Sequence, residues 1–229
     1  MQAVILAGGL GTRLLPLTES VPKPMVPVAG RPYLEHQIEL LRQQGIDDVL
    51  LLTGYLGEQI QRHFADGWKH GVRIRYSRER EPLGTGGALL LAMPLLQDSF
   101  LVLNGDSYLP ADYKRITALL QDAPMGLAVY DNRLGDTGVA NNIGLDGDGR
   151  VALYRKGAGA AATHVDAGAV AMRRDALAHA PAGRFSLESD LFPLLIARRE
   201  LAAWPSPERF YDMGTPAGLV ALESYLQRR

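Results

Sequence analysis

Three glycines within four positions, followed by an arginine, form the stretch of the sequence best suited to chemistry. It reads LAGGLGTRL over residues 6–14 and begins inside the apolar run 2–7. Successive glycines let backbone N–H groups approach an anion closely. Ligands of open parallel sheets bind beyond the carboxyl ends of the strands. The stretch therefore predicts a phosphate-binding loop after an N-terminal strand.

The spacing of this loop matches neither of two familiar phosphate-binding motifs. The dinucleotide motif G-x-G-x-x-G would need a glycine where Leu14 stands, and an acid ending the second strand. Glu35 falls in a predicted helix instead. The motif G-x-x-x-x-G-K-[ST] does not occur in the sequence. A nicotinamide-dependent dehydrogenase is therefore disfavoured.

A lysine held between two prolines follows the glycine stretch, in the segment PKP at residues 22–24. The prolines fix the local backbone and keep Lys23 out of a helix. Taken alone, Lys23 is best interpreted as a solvated loop residue. Beside a glycine-rich loop that also carries Arg13, it would help to bind a polyphosphate.

Two aspartates suit a divalent cation, and each also has a structural alternative. Asp106 ends the run LVLNGD, and Asp212 lies in FYDMGTP. A carboxylate at the carboxyl end of a strand fits Mg²⁺, which prefers oxygen ligands. Asn-Gly-Asp is also a favourable turn sequence, and Asp212 could cap the last helix. The residues alone leave these alternatives open.

Taken together, these motifs resemble the signature of the sugar-1-phosphate nucleotidylyltransferases. The resemblance rests on LAGGLGTRLLPLT and PKPMVPVAGRP and continues through EPLGTGGAL, LVLNGDS and FYDMGTP, so it covers nearly the whole chain. The sequence is most similar to short bacterial members that use GTP and heptose-1-phosphate. It also resembles a group that uses UTP and N-acetylmuramate-1-phosphate. Many larger relatives carry a C-terminal β-helix domain, and we expect the catalytic domain alone here.

The resemblance implies transfer of a nucleoside monophosphate from an NTP to a sugar-1-phosphate. It implies Mg²⁺ bound by Asp106 and Asp212, with Arg13 and Lys23 as catalytic cations. The residues implied for nucleotide binding are Ala7, Gly8, Gly9, Gly11, Thr12, Arg13, Gly84, Thr85, Gly86 and Asn104. Those implied for the sugar phosphate are Asn142, Lys156, Asp166, Gly168 and Glu188, with Asn141 as a further candidate.

Two positions depart from the family pattern. Arg155 replaces the glutamate that precedes the lysine at position 156, and Asp166 replaces a common asparagine. An aspartate cannot donate the hydrogen bonds of an amide, so the acceptor substrate can differ. A catalytically inactive nucleotide-sugar sensor is an alternative function, but it would be expected to lack Arg13, Lys23 or the aspartates.

Apolar strands and amphipathic helices must alternate to position these residues. In the first half we predict strands at 2–7, 48–54, 72–77 and 99–106 and helices at 32–45, 57–67 and 85–96. In the second half we predict strands at 125–132, 150–156 and 164–172, short strands near 200–205 and 209–214, a loop at 157–162, and helices that begin after Ser186 and Thr215.

This order predicts a Rossmann-like α/β fold with a mixed, mainly parallel sheet flanked by helices, in a single domain. Residues 1–110 would form the nucleotide-binding half. Residues 111–229 would form the sugar-phosphate-binding half, as an extra layer over the sheet edge.

Composition narrows the possible partners. The 229 residues carry a formal net charge of −1 and include no cysteine, which argues against nucleic-acid binding and excludes thiolate chemistry. The first residues lack the features of a signal peptide, and no apolar run is long enough for a membrane span. We expect a cytoplasmic enzyme, monomeric or homodimeric, without membrane partners.

The five histidines show no metal-ligand spacing, and His36 and His63 are expected in packing or surface roles.

Overall fold

The computed structural model describes residues 1–228. Its helices are α1 (Tyr33–Gln43), α2 (Gly57–Phe64), α3 (Gly84–Leu91), α4 (Tyr113–Ala118), α5 (Phe192–Ala197) and α6 (Pro216–Leu226). Its strands are β1 (Gln2–Ala7), β2 (Pro27–Val28), β3 (Arg31–Pro32), β4 (Asp48–Thr53), β5 (Arg73–Arg78), β6 (Ser99–Asn104), β7 (Ser107–Tyr108), β8 (Met125–Tyr130), β9 (Ile143–Leu145), β10 (Val151–Tyr154), β11 (Val165–Arg173), β12 (Leu201–Pro205) and β13 (Tyr211–Asp212).

A central seven-stranded sheet has the order β12-β8-β11-β6-β1-β4-β5. Strands β6, β1, β4 and β5 are parallel, whereas β11 runs antiparallel to both β6 and β8. The prediction of a mixed, mainly parallel sheet with flanking helices in one domain is confirmed. The three short ladders β2·β3, β7·β13 and β9·β10 lie outside this sheet.

Alternate side chains of β1 enter two apolar clusters, which is expected for a strand covered on both faces. Ala3, Ile5 and Ala7 belong to one cluster, and Val4 belongs to the other. The strand therefore lies at the centre of the molecule, and the glycine-rich stretch follows it at the carboxyl end of the parallel strands.

The second half of the chain was expected to cover the sheet edge as an extra layer, and that prediction is wrong. It contributes β8, β11 and β12 to the central sheet itself. Every residue of β8 is buried, so this strand packs on both faces as β1 does. The short helix α4 and the strands β2, β3, β7 and β9 were not predicted.

Several boundaries differ from the predicted ones. Helix α2 ends at Phe64 because Ala65 has a φ of 45°, which does not continue a right-handed helix. The segment after Ser186 begins with a π-helical turn, Leu187–Leu191, before α5. Ser186 and Thr215 accept backbone hydrogen bonds at the starts of their helical segments, as predicted. Throughout residues 1–228, each helix is too short or too polar to traverse a lipid bilayer.

Candidate active site

The glycine loop, which we define as residues 8–13, folds back onto the segment that carries Lys23. Gly11 has a φ of 67°, which favours glycine, and a Cβ there would lie 3.1 Å from the Cβ of Lys23. The Thr18 hydroxyl donates to the Gly11 carbonyl over 2.9 Å. The predicted pairing of the loop with Lys23 is therefore a direct packing contact.

A cleft of about 440 Å³ opens beyond the carboxyl ends of β1 and β6. It is lined by many of the predicted site residues, namely Gly8, Gly9, Gly11, Thr12, Arg13, Lys23, Gly84, Thr85, Asn104, Asp106 and Glu188. The other predicted residues are Ala7, Gly86, Asn142, Lys156, Asp166, Gly168 and Asp212, and they lie outside the walls of this cleft.

The turn between β6 and β7 presents Asp106 to the cleft. Gly105 is required at its centre, because a Cβ there would lie 2.3 Å from the Leu6 carbonyl oxygen. From beneath, the Gln37 amide donates to the carbonyl oxygens of Asn104 and Ser107, at 3.0 and 3.4 Å. Gln37 thus links α1 to both ends of the turn, a role that its sequence position did not reveal.

Asp212 is brought beside Asp106 by the two-stranded ladder β7·β13. Ser107 pairs with Asp212 in this ladder, and the Met213 amide donates to the Asp106 carbonyl over 2.9 Å. We call Asp106 and Asp212 the acid pair. The structure brings its two members together from positions far apart in the chain.

Two cations face the acid pair. The Lys23 ammonium donates to the Asp106 carboxylate, and only 10% of the Lys23 side chain is exposed. The Arg13 guanidinium lies 3.7 Å from Asp106 and 3.8 Å from Asp212 and is 61% exposed. Lys23 is therefore a fixed cation, whereas Arg13 is free to reorient toward a ligand.

Burial and the nearby Asp106 charge raise the pKa of Asp212. The Gly214 amide opposes this by donating to the Asp212 carboxylate over 2.7 Å. Behind the pair, the hydroxyl of Tyr33 is buried and has no hydrogen-bond partner among the described residues. Burial, followed by the charge of Asp106, raises the pKa of Tyr33 well above its usual value. Two crowded carboxylates are a donor set that fits a hard divalent cation.

The second glycine turn packs against Phe185. A Cβ at Gly84 would lie 2.4 Å from the Phe185 carbonyl oxygen, and one at Gly86 would lie 2.0 Å from the Phe185 ring. The Thr85 hydroxyl donates to Glu188 over 2.7 Å and accepts from the Leu187 amide over 2.9 Å. This contact joins the predicted nucleotide residue Thr85 to the predicted sugar residue Glu188.

Glu79 lines the cleft and was missed by the sequence analysis. Its Oε2 accepts from the Leu83 amide over 2.9 Å. Its Oε1 faces the glycine loop, at 2.9 Å from the position that a Cβ on Gly8 would take. This second oxygen makes no hydrogen bond within residues 1–228. The acid lies in the charged stretch RERE, where nothing in the pattern distinguishes it from its exposed neighbours.

Asp166 is held at a bulge in β11, where the register against β8 shifts between Asp166 and Val170. Its carboxylate accepts from the Gly168 amide over 2.7 Å and from the Tyr154 hydroxyl over 2.8 Å. Its own amide donates to Asn142 over 3.1 Å. Burial raises the pKa of Asp166 to about 6. Tyr154 is a further residue that the sequence analysis missed.

Gly168 connects this bulge to the acid pair. Its φ is 78°, and a Cβ would lie 2.5 Å from the Cβ of Ser107, next to Asp106. Lys156 is exposed in the loop after β10. The Asn141 side chain accepts from Asn132 over 2.9 Å, so it helps to hold the loop before β9.

Comparison with known proteins places the same segments in a common family. The sequence profile of a family described as nucleotidyl transferase matches residues 2–131. Mannose-1-phosphate guanylyltransferase of Mycobacterium tuberculosis is 35% identical over 225 residues, which are 96% of this chain and 63% of that protein. D-glycero-alpha-D-manno-heptose 1-phosphate guanylyltransferase of Campylobacter jejuni is 44% identical over 116 residues, or 51% of this chain and 52% of that protein.

The chain thus spans between about half and two thirds of the length of these curated relatives. Among solved structures, HddC from Yersinia pseudotuberculosis is 27% identical, with a TM-score of 0.84 over 98% of this chain and 99% of that one. The same protein complexed with GMP-PN gives a TM-score of 0.83. The fold is therefore shared over essentially the whole described chain.

Proposed function

The chain belongs to the nucleotidyl transferase family, and on that premise we propose that it transfers a nucleoside monophosphate from an NTP to a sugar-1-phosphate. The products are an NDP-sugar and pyrophosphate. The proposed nucleotide is GTP, and the proposed acceptor is a heptose- or hexose-1-phosphate. The relatives named above, which act on mannose- and heptose-1-phosphates, support this choice.

The observation that carries the proposal is the meeting of Arg13, Lys23 and the acid pair at one end of the sheet. In the reaction, an oxygen of the sugar phosphate bonds to the α-phosphorus. The bond from that phosphorus to the bridging oxygen breaks, and pyrophosphate leaves with the electron pair. A phosphate oxygen is already anionic near pH 7, so no protein base is needed. The chain's task is to bring two anions together and to offset their repulsion.

Each cation suits a different part of this task. Arg13 is exposed and planar, so it fits the β- and γ-phosphates and the departing pyrophosphate. Lys23 is buried and fixed, so it fits the α-phosphate, where the two reactants meet. Asp106 and Asp212 would hold Mg²⁺, which when bound supplies positive charge beside the α-phosphate oxygens.

The nucleotide is proposed to occupy the cleft, whose walls come mainly from residues 1–110, with its phosphates on the glycine loop and its base and ribose beside the turn at Gly84–Gly86. The sugar phosphate is proposed to bind to residues 111–229, near Asn142, Lys156, Asp166, Gly168 and Glu188. The Thr85–Glu188 hydrogen bond is then the point at which the two substrate regions touch.

Glu79 favours guanine over uracil as the base. Guanine offers two adjacent donors, the ring N1–H and the exocyclic N2–H₂, to a single carboxylate. Uracil offers one N3–H donor between two carbonyl oxygens, which a carboxylate would repel. The Oε1 of Glu79 lies beside Gly8 in the wall of the cleft and makes no hydrogen bond within residues 1–228, which supports the guanine pattern.

The proposed product would be a precursor of a cell-surface polysaccharide. We propose that the enzyme works in the cytoplasm as a monomer or homodimer, with no nucleic-acid or membrane partner. A formal net charge of −1 supports the absence of a polyanionic partner.

The test is release of pyrophosphate by the purified chain with Mg²⁺, each of the four common ribonucleoside triphosphates, and a panel of sugar-1-phosphates. Rapid release with GTP and mannose- or heptose-1-phosphate supports the proposal. Release only with UTP and N-acetylmuramate-1-phosphate would show that the proposed substrates are wrong and that the proposed type of reaction is right. If nucleotide binds but no combination releases pyrophosphate, the chain is a sensor and the proposal fails.

A further inference from the structure

A cluster of three potential metal ligands lies outside the cleft. Glu35 on α1, His63 on α2 and His70, in the turn Trp68–His70, place one ligand atom each within 4.8 Å of the others. Sequence spacing did not reveal this cluster, because its members come from three separate segments. The expectation that His63 has only a packing or surface role overlooked it.

Packing around Phe64 holds the two rings of the cluster. Phe64 is buried, and its ring centroid lies 4.8 Å from that of His63 and 4.9 Å from that of His70. The Nε2 of His63 lies 2.6 Å from the Oε1 of Glu35. The Glu35 side chain is 17% exposed, and that of His63 is 37% exposed. The donors are therefore positioned by the fold, while one side of the cluster is open to water.

The charged neighbours of the cluster are partly compensated. Arg31 is paired with Glu39 over 2.8 Å. Glu35 and His70 line a second, shallow pocket with a volume of about 360 Å³, and Arg42 and Lys69 also line it. These two cations oppose a bound cation, and Glu35 is the acid in direct contact with a histidine. The balance suggests moderate affinity rather than the very tight binding of a site rich in acids or thiolates.

We propose that Glu35, His63 and His70 bind a divalent transition metal of the Zn²⁺ type, with a fourth position open to water. Two imidazoles and one carboxylate suit Zn²⁺ better than Mg²⁺, which prefers oxygen ligands alone. Zinc–ligand bonds of about 2.1 Å place tetrahedral donors about 3.4 Å apart. Small rotations of the Glu35, His63 and His70 side chains would close the remaining separation.

This site is separate from the acid pair. On α1, Gln37 faces the β6–β7 turn and Tyr33 lies behind the acid pair. Glu35 lies midway between them in sequence, so it projects from the opposite side of the helix. A bound ion would fasten α1 to α2 and to the turn before β5, so it should raise the thermal stability of the chain.

Zinc titration of the metal-free full chain in excess Mg²⁺ tests the proposal, with calorimetry for stoichiometry and Co²⁺ absorption for ligand geometry. The expected result is one equivalent of bound Zn²⁺, a tetrahedral Co²⁺ spectrum, and a higher melting temperature with Zn²⁺. Glu35→Gln, His63→Asn and His70→Asn should each weaken binding at least ~10-fold. One side of the cluster is open to water, so the substitutions disturb little buried packing. The metal-free variants should therefore melt within a few degrees of the wild type.

The matched controls are His164→Asn and His179→Asn, which alter histidines outside the cluster and should leave Zn²⁺ affinity unchanged. A separate control, Asp106→Asn, reports whether the ion has bound at the acid pair. The proposal fails if the wild type binds no Zn²⁺, or if the three cluster variants keep full affinity. It fails equally if Asp106→Asn abolishes the binding.

Discussion

The ammonium of Lys23 donates to the carboxylate of Asp106, although the two residues lie 83 positions apart in the sequence. Without a ligand, each is the other's principal counter-ion. In the proposed reaction, a substrate phosphate approaches the fixed Lys23 ammonium, and the Asp106 carboxylate becomes available for Mg²⁺. Substrate binding would then be an exchange of ionic partners within a charge group that is already assembled.

Replacing Asp106 by asparagine removes one charge of the acid pair and keeps its shape. We expect Asp106→Asn to lower kcat/KM by at least about 100-fold, since metal-assisted charge stabilisation contributes several kcal/mol. Pyrophosphate release measures this loss, and a melting curve checks the fold. The control Asp98→Asn changes an acid that is 88% exposed and should be neutral. Activity within a few-fold of the wild type would remove Asp106 from the reaction.

Lys23→Met should lower kcat/KM by about 100-fold, because a preorganised cation at the reacting phosphate is lost. The substitution keeps most of the buried stem, so the packing against Gly11 should survive. Lys114→Met is the matched control on the exposed surface of α4. Steady-state kinetics at varied GTP concentrations check the result. Equal kinetics for the two variants would contradict a phosphate role for Lys23.

The carboxylate of Glu79 should decide the choice of base. Glu79→Gln is expected to lower kcat/KM for GTP by about 10- to 100-fold, the value of one or two charge-assisted hydrogen bonds. The same variant should handle UTP as well as, or better than, the wild type. Glu81→Gln alters an exposed neighbouring acid and serves as the control. An unchanged ratio of GTP to UTP turnover would show that Glu79 does not read the base.

Asp166 should make stability depend on pH. Its pKa of about 6 lies above that of an unfolded aspartate, so the folded chain binds this proton more tightly. The contribution is present below about pH 4 and is lost as the pH rises to about 6. Asp166→Asn should therefore gain about 2 kcal/mol of unfolding free energy relative to the wild type between pH 4.5 and pH 7. Urea unfolding of both proteins at these two pH values measures the difference in unfolding free energy. If that difference is the same at both pH values, the raised pKa of Asp166 is contradicted.

Gly168→Ala tests the contact between the β11 bulge and the acid-pair turn. We expect a loss of about 2–4 kcal/mol, because a Cβ meets both an unfavourable φ and the Ser107 side chain. Gly138→Ala shares a similar φ of 74° but has open space around it, so it should cost only about 1 kcal/mol. The difference between the two variants, measured by chemical unfolding, isolates the steric contact. Equal losses of unfolding free energy in the two variants would show that the β11 bulge adjusts to the added methyl group without a steric cost.

Local patterns along the chain predicted much of the fold and part of the site. The apolar runs at β1, β4 and β6 were recognisable because strands covered on both faces are almost continuously apolar. The caps at Ser186 and Thr215 followed from side chains that accept local amides. Arg13, Lys23 and Asp106 were singled out by glycine and proline spacing together with the family resemblance, and the structure brings the three side chains together.

What the sequence could not reveal depends on long-range contacts. Glu79 looks like any acid in a charged stretch, and Gln37 looks like a polar residue of an amphipathic helix. The placement of β8, β11 and β12 within the sheet depends on tertiary pairing, for which the alternation of residues carries no signal. The cluster of Glu35, His63 and His70 arises in the same way.

The short ladder that pairs Ser107 with Asp212 also has a consequence for biosynthesis. A ribosome that has just released β8 has already made Lys23, Asp106 and the whole glycine loop, yet the partner of Asp106 is still untranslated. If Asp212 holds the metal as proposed, nucleotide turnover cannot begin on a nascent chain until β13 emerges and pairs with β7, which is after the last strand of the central sheet has been synthesised.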